Sequence, residues 1–176
     1  MTTEIRPATA ADAAAIADLH QRSWRSAYRG LLPDSYLDGR AGDELAARWR
    51  TAFTKDEPRR VILVAAAPDC IAGFVAAWPK GPDKALIDNL HVAPGQRGGG
   101  LGRRLMGRAA AELRRLGFRA AFLEVIEGNH DARGFYRRLG GVEGELFVEP
   151  IGDHPTRVIP IAWDDLAVLE AAAGGA

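Results

Sequence analysis

The chain has 176 residues, with 23 lysines and arginines against 23 aspartates and glutamates, so its formal charge is zero. That length suits one domain with a proper core (1–176, core about 3–163), and the charge balance gives no support for a nucleic-acid or membrane-surface partner. The single cysteine, Cys70, excludes an internal disulfide and fits a reducing cytoplasm; no run reaches the length of a membrane helix, and the N-terminus lacks a signal-peptide pattern.

In chain order, residues 4–6 read as a short strand. Thr9 is an N-cap with Asp12 at the third helical position. Ile16 and Leu19 continue that helix to about Arg25. The segment 23–32 carries Trp24 and Tyr28 and breaks at Gly30 and Pro33. Asp34 and Asp43 each start a short helix, the second running to about Phe53. Residues 61–66 and 71–78 are β-rich runs split by a hairpin at Pro68-Asp69, with Cys70 in the turn and given no role. Gly81-Pro82-Asp83 turns into a strand over 84–92.

A glycine loop follows, then a helix over about 101–116, with Gly117 as its C-cap. Residues 120–126 form a strand. A short helix starts near Asn129 or Asp131 and ends at Gly140-Gly141. Residues 142–149 and 156–163 form a late antiparallel pair joined through Gly152-Asp153-His154-Pro155. A last helix starts near Asp164, and 171–176 read as a frayed tail. The order β-α-α-β-β-β-α-β-α-β-β is that of an α/β protein with a mixed sheet.

The loop is the most informative segment. Arg97-Gly98-Gly99-Gly100-Leu101-Gly102-Arg103 lies between a strand and a helix. Glycines let main-chain N–H groups approach a ligand, and the helix aims its positive end at the same place. Together these make an anion site, most often for phosphate. The nucleotide P-loop needs Gly-Lys-Ser/Thr, and none follows. The dinucleotide fingerprint needs a third glycine, where Arg103 stands. A third pattern, Arg/Gln-x-x-Gly-x-Gly/Ala, is met in full from Arg97 to Gly102. Arg97, Arg103, Arg104 and Arg108 read either as a solvated helix face or as a cationic rim for the phosphates.

That third pattern resembles the coenzyme A loop of the GNAT acetyltransferase superfamily. The resemblance extends to Asn129-His130-Asp131-Ala132, followed by Phe135-Tyr136 and Gly140. It extends also to Ile5-Arg6-Pro7-Ala8-Thr9 and to Tyr28-Arg29-Gly30-Leu31-Leu32-Pro33. It covers roughly residues 3–163. It implies the GNAT fold: a mixed, mostly antiparallel sheet flanked by helices, with a splayed central strand pair into which the cofactor enters.

The resemblance also implies transfer of an acetyl group from acetyl-CoA to a primary amine by direct attack in a ternary complex. The N–H groups of residues 97–103, among them Gly98, Gly99, Gly100, Leu101 and Gly102, hold the phosphates. Leu90, His91 and Val92 offer a strand edge to the pantetheine arm. The main-chain N–H of Leu90 or Val92 stabilises the tetrahedral oxyanion. Tyr136 is the acid for the leaving thiolate, with its alternative an aromatic core pair with Phe135. Asn129 caps the following helix and also bonds the coenzyme.

Two carboxylates compete for the amine's proton. Glu124 is read as the proton relay, with an arginine pair as its alternative. Asp88 is read as the amine-recognising group, with a solvated strand residue as its alternative. Simple alternation puts Asp88 on the face of Leu90 and Val92, with His91 and Asn89 opposite; a β-bulge would change that. His91 is read first as a structural polar residue. Trp24, Tyr28, Leu31, Leu32, Tyr36 and His154 are read as acceptor-pocket residues, and core packing is the competing reading for Trp24 in particular.

His20, His130 and His154 show no metal-ligand spacing with one another or with Cys70, so no metal is expected. The expected partners are a small-molecule amine or peptide and, by analogy, a second copy in a homodimer. Amino acids, polyamines, aminoglycoside-type drugs and protein N-termini all stay open as acceptors. A non-catalytic acyl-CoA-binding sensor and a nucleotide- or dinucleotide-binding module are the rival classes.

Overall fold

A computed structural model describes residues 3–68 and 70–174. The elements are β1 (Glu4–Pro7), α1 (Ala13–Ala27), α2 (Asp34–Asp38), α3 (Arg40–Thr54), β2 (Val61–Ala67), β3 (Cys70–Pro79) and β4 (Lys84–Val92). They continue with α4 (Leu101–Arg115), β5 (Ala120–Ile126), α5 (His130–Arg138), β6 (Val142–Glu143), β7 (Phe147–Ile151), β8 (His154–Trp163) and α6 (Leu166–Gly174). The strands form one sheet in the order β1-β2-β3-β4-β5-β8-β6, with β7 also on β8. Every pairing is antiparallel except β4 with β5.

Both faces of the central strands are covered, which explains their nearly unbroken apolar runs. In β2, Val61, Leu63 and Ala65 face a core built on α4 and α6, while Ile62 and Val64 face α1 and α3. The buried side of α4 is Leu101, Leu105, Met106, Ala109, Ala110 and Leu113, spaced by helical turns. At the chain start, the Thr9 N–H donates to the Asp12 carboxylate at 2.7 Å and Arg6 donates to the same carboxylate at 2.9 Å. This bears out the cap read from Thr9 and Asp12.

Four local expectations change. The third helix starts at Arg40 rather than Asp43, with Gly39 as its N-cap. The strand expected over 142–149 is two pieces, β6 and β7, lying end to end along the outer edge of β8; they are separated at Gly144, whose N–H bonds the Pro160 carbonyl. The tail is docked as far as Gly174: α6 lies against α4 with Ala173 buried, and a Cβ at Gly107 would stand 2.9 Å from the Ala173 Cβ. Residues 175–176 of the expected tail lie outside the described residues. So does Asp69 of the expected hairpin turn; Cys70, expected in that turn, opens β3 instead and is exposed.

Two features of β4 create the site. It pairs with β5 only at Lys84, Ala85 and Leu86, after which the two strands part. Its register against β3 also slips: Asn89 opposes Ala76 and Ile87 opposes Ala77, so Asp88 is an extra residue. Past the splay, the other edge of β4 has no β5 partner among the described residues.

Candidate active site

The parting of β4 and β5 opens a cleft of about 860 Å³ on the side of α4 and α5. Its floor includes Leu90 and Val92 of β4, and its walls include Tyr136, Phe135 and Asn129 of the α5 segment. The glycine loop forms its mouth. Gly98 and Gly100 have φ of +84° and +77°, which side-chain-bearing residues rarely adopt, and a Cβ at either would meet nothing within 4 Å. Gly100 is the N-cap of α4 and supplies no side chain to cap it. The Arg104 N–H bonds the Gly100 carbonyl at 3.0 Å, so the N–H groups of Leu101 and Gly102 stand at the open positive end of the helix. This is a cradle with room for a phosphate-bearing ligand.

The arginines divide. Arg97 and Arg103 line the cleft, and so does Arg138, which sequence reasoning missed. Arg104 turns to the Thr3 carbonyl (3.1 Å) and Arg108 to Glu112 (3.0 Å), so the expected rim is narrower than the sequence suggests. Arg97 donates to Ser26 and Ser23 of α1, each at 3.3 Å. Among the expected coenzyme residues, Gly99 is not part of the cleft wall.

A second cavity, of about 320 Å³, lies on the α1–α3 side of the same splay. It shares Tyr28, Asp88, Asn89, His91 and Glu124 with the first, so the two meet where β4 and β5 part. Trp24 and Tyr36 also line it, whereas Leu31 and His154 do not. The Leu31 side chain covers the β5–α5 turn, within 2.6 Å of where a Gly128 Cβ would stand. The His154 ring meets the Tyr36 ring at 5.5 Å. Leu32 is a buried core residue. Tyr36 in turn closes on the β7–β8 hairpin, where a Cβ on Gly152 would lie 2.7 Å from its ring, and its hydroxyl donates to Glu44 at 2.8 Å.

The bulge corrects the expected parity. Asp88 joins Asn89 and His91 on the wall of the smaller cavity, while Leu90 and Val92 pack toward the α4 core. Asp88 is heavily engaged: Arg48 pairs with it, Trp78 Nε1 donates at 3.0 Å and Asn89 Nδ2 at 2.8 Å. Glu124 is exposed on β5 and faces both cavities, with no ion pair to an arginine among the described residues. Glu149 of β7 is a wall residue that sequence reasoning missed. Burial raises its pKa, and the nearby Glu124 charge adds to that. Its signal was hidden, because nothing in the 142–149 run marks which side chain turns inward.

His91 is packed rather than poised. Its Nδ1 lies 2.9 Å from Ser23 Oγ and its ring 4.3 Å from that of His20. Burial, with Arg97 and Arg48 nearby, pushes its pKa down to about 3, so it stays neutral near pH 7. Tyr136 is buried in the cleft wall, and burial pushes its pKa well up, so its hydroxyl keeps its proton. Phe135 does not point away as adjacent helix positions suggest: both rings face the cleft, 5.1 Å apart. The Asn129 side chain accepts the Ala132 N–H at 3.2 Å and caps α5. Among the described residues no group of three or more His, Cys, Asp or Glu is placed to hold a metal, and no helix is long and apolar enough to cross a membrane.

The family model described as the acetyltransferase (GNAT) family matches residues 14–141. The chain belongs to that family. That family is one of acetyltransferases, and relatives of this fold have been solved with coenzyme A or acetyl-CoA. It is 38% identical over 101 residues to a streptothricin acetyltransferase of Streptomyces lavendulae, a match spanning 53% of this chain and 52% of that protein. It thus spans about half the length of that relative. It is 26% identical over 170 residues to the uncharacterized N-acetyltransferase YuaI of Bacillus subtilis, covering 94% of this chain and 95% of the other. In fold it resembles the PaiA N-acetyltransferase of Thermoplasma acidophilum solved with coenzyme A, with a TM-score of 0.74 and 19% identity over 93% of this chain and all of that one. The eight-stranded, mostly antiparallel sheet flanked by helices thus matches solved members of this fold.

Proposed function

We propose that this protein transfers the acetyl group of acetyl-CoA to a primary amine of a small molecule by direct attack in a ternary complex. The observation that carries this reading is the meeting of two cavities at the splay. One has the open end of α4 and arginines at its mouth; the other is lined by carboxylates and aromatic rings. A coenzyme-binding sensor needs only the first. The 38% identical relative is named for acetylating streptothricin, which favours a small molecule over a peptide.

In this reading the amine enters from the smaller cavity and meets the thioester beside Asn89 and Glu124. The arriving ammonium gives up a proton, directly or through water, to Glu124, which has no arginine holding it among the described residues. Asp88, engaged by Arg48, Trp78 and Asn89, orients the amine instead. The neutral nitrogen attacks the carbonyl carbon, and the C–N bond forms as charge builds on the oxygen. A main-chain N–H of Leu90 or Val92 on the open β4 edge stabilises that oxygen. The C–S bond then breaks, Tyr136, kept protonated by burial, donates its proton to the departing thiolate, and the second proton of the acylated nitrogen passes through water to restore the phenol.

The same reading has the chain acting as one domain in the cytoplasm, in keeping with its single exposed thiol. The exposed Val142, Phe147 and Val148 on the outer sheet edge offer a second copy a surface for a homodimer. A thiol-release assay with acetyl-CoA and a panel of amino acids, diamines, aminoglycosides and short peptides tests the reaction. Release that depends on a small amine supports it. Release with peptides alone overturns the acceptor class, and coenzyme binding with no release for any amine favours a sensor.

A further inference from the structure

Resting on that reading, we infer that the acceptor carries at least two cationic nitrogens, one reacting beside Glu124 at the junction of the cavities and one held unreacted by Glu149. The smaller cavity draws carboxylates from four elements: Glu44 of α3, Asp88 of β4, Glu124 of β5 and Glu149 of β7. Among the described residues its one cationic wall residue is Arg48, which Asp88 already neutralises, since His91 stays neutral near pH 7. Glu44 is partly satisfied by the Tyr36 hydroxyl (2.8 Å) and Arg40 (3.6 Å). That leaves Glu124 and Glu149 facing a shared space. They flank β8 on either side, Glu124 opposite Pro160 and Glu149 opposite Thr156, so the pleat puts both on one face of the sheet. Two like charges sharing a cavity cost free energy that a cation between them offsets.

The reaction needs only one carboxylate. A monoamine arrives as an ammonium and passes its proton to Glu124, which leaves Glu149 charged and without a counter-cation at the transition state. A second, unreactive ammonium keeps its charge throughout and holds the acceptor while the first nitrogen reacts. The rings of Trp24, Tyr28 and Tyr36 suit this, since aromatic walls attract cations and exclude water from an alkyl chain between two amines.

Calorimetry on the full chain saturated with coenzyme A tests this without needing turnover. The probes are 1,4-diaminobutane and spermidine, with n-butylamine as the singly charged match. We expect both polyamines to bind at least about tenfold more tightly than butylamine. Glu149→Gln should bring diaminobutane to the butylamine level while coenzyme affinity and melting temperature stay unchanged. Glu149→Asp, which keeps the charge on a shorter arm, should recover part of the difference and guards against a Gln variant that folds poorly. Equal affinities for diamine and monoamine, or a diamine preference untouched in a folded Glu149→Gln variant, overturn the inference. The thiol-release assay stands apart: selective polyamine binding without release for any amine keeps the charge reading and sinks the transferase reading.

Discussion

Arg48 of α3 pairs with Asp88, the extra residue of the β4 bulge, and so ties the helical layer to the point where the sheet opens. Burial alone lowers the Arg48 pKa, so the guanidinium depends on that carboxylate. Asp88→Asn should cost about 1–2 kcal/mol, between the values for exposed and buried pairs, because both side chains are partly exposed. Urea denaturation measures it. A midpoint equal to that of the parent chain would mean the pair is ornamental to the fold.

Tyr136 sits in the cleft wall with its hydroxyl kept protonated by burial. Tyr136→Phe keeps the ring and removes the proton. Turnover should fall about a hundredfold, with coenzyme affinity little changed. Steady-state kinetics beside calorimetry separate the two effects, and full turnover in the variant would remove the phenol from the proton path.

At the cleft mouth, Arg97→Glu should raise the coenzyme dissociation constant about tenfold to a hundredfold, as expected for losing a charge-assisted contact. Gly100→Val should weaken binding by another route. The left-handed backbone at the helix start costs a β-branched residue about 1–2 kcal/mol, although space for the side chain is open. Coenzyme affinity unchanged in both would move the phosphates away from this loop.

Acid should destabilise the fold through His91 and His20, whose folded pKa values burial depresses, that of His91 to about 3. In the unfolded chain both take up protons below about pH 6.5. The unfolded state then binds more protons than the folded one, so stability falls as pH drops from about 6.5 toward 3. Each histidine contributes about 1.4 kcal/mol per pH unit once its unfolded form is fully protonated. Urea midpoints between pH 7 and 5 measure the slope, and His91→Gln should remove one histidine's share. A flat profile would mean that both rings protonate in the folded state.

The helix and strand positions were largely legible because apolar spacing and glycine punctuation act locally. The strand Ala120–Ile126 falls where its apolar run puts it, and Asn129 caps α5 as its residue type implies. The bulge at Asp88 was not legible, since nothing in Lys84–Val92 marks an extra residue until β3 fixes the register. Nor was the docking of 171–174, because an alanine-rich end reads as loose until a partner such as α4 buries it. Leu31 and His154 were placed by sequence in the acceptor pocket, but neither lines the smaller cavity: Leu31 lies over Gly128 and His154 packs against the Tyr36 ring.

The sequence by itself determined the family, the α/β sheet and the anion-binding loop, because each depends on residues near one another in the chain: a strand, flexible glycines and a helix start. Only the tertiary structure decided which carboxylates share the smaller cavity. Glu44, Asp88, Glu124 and Glu149 lie on four elements far apart in sequence. Whether their charges meet depends on strand register, a bulge and the closing of a hairpin, which are settled by long-range packing and not by local preference.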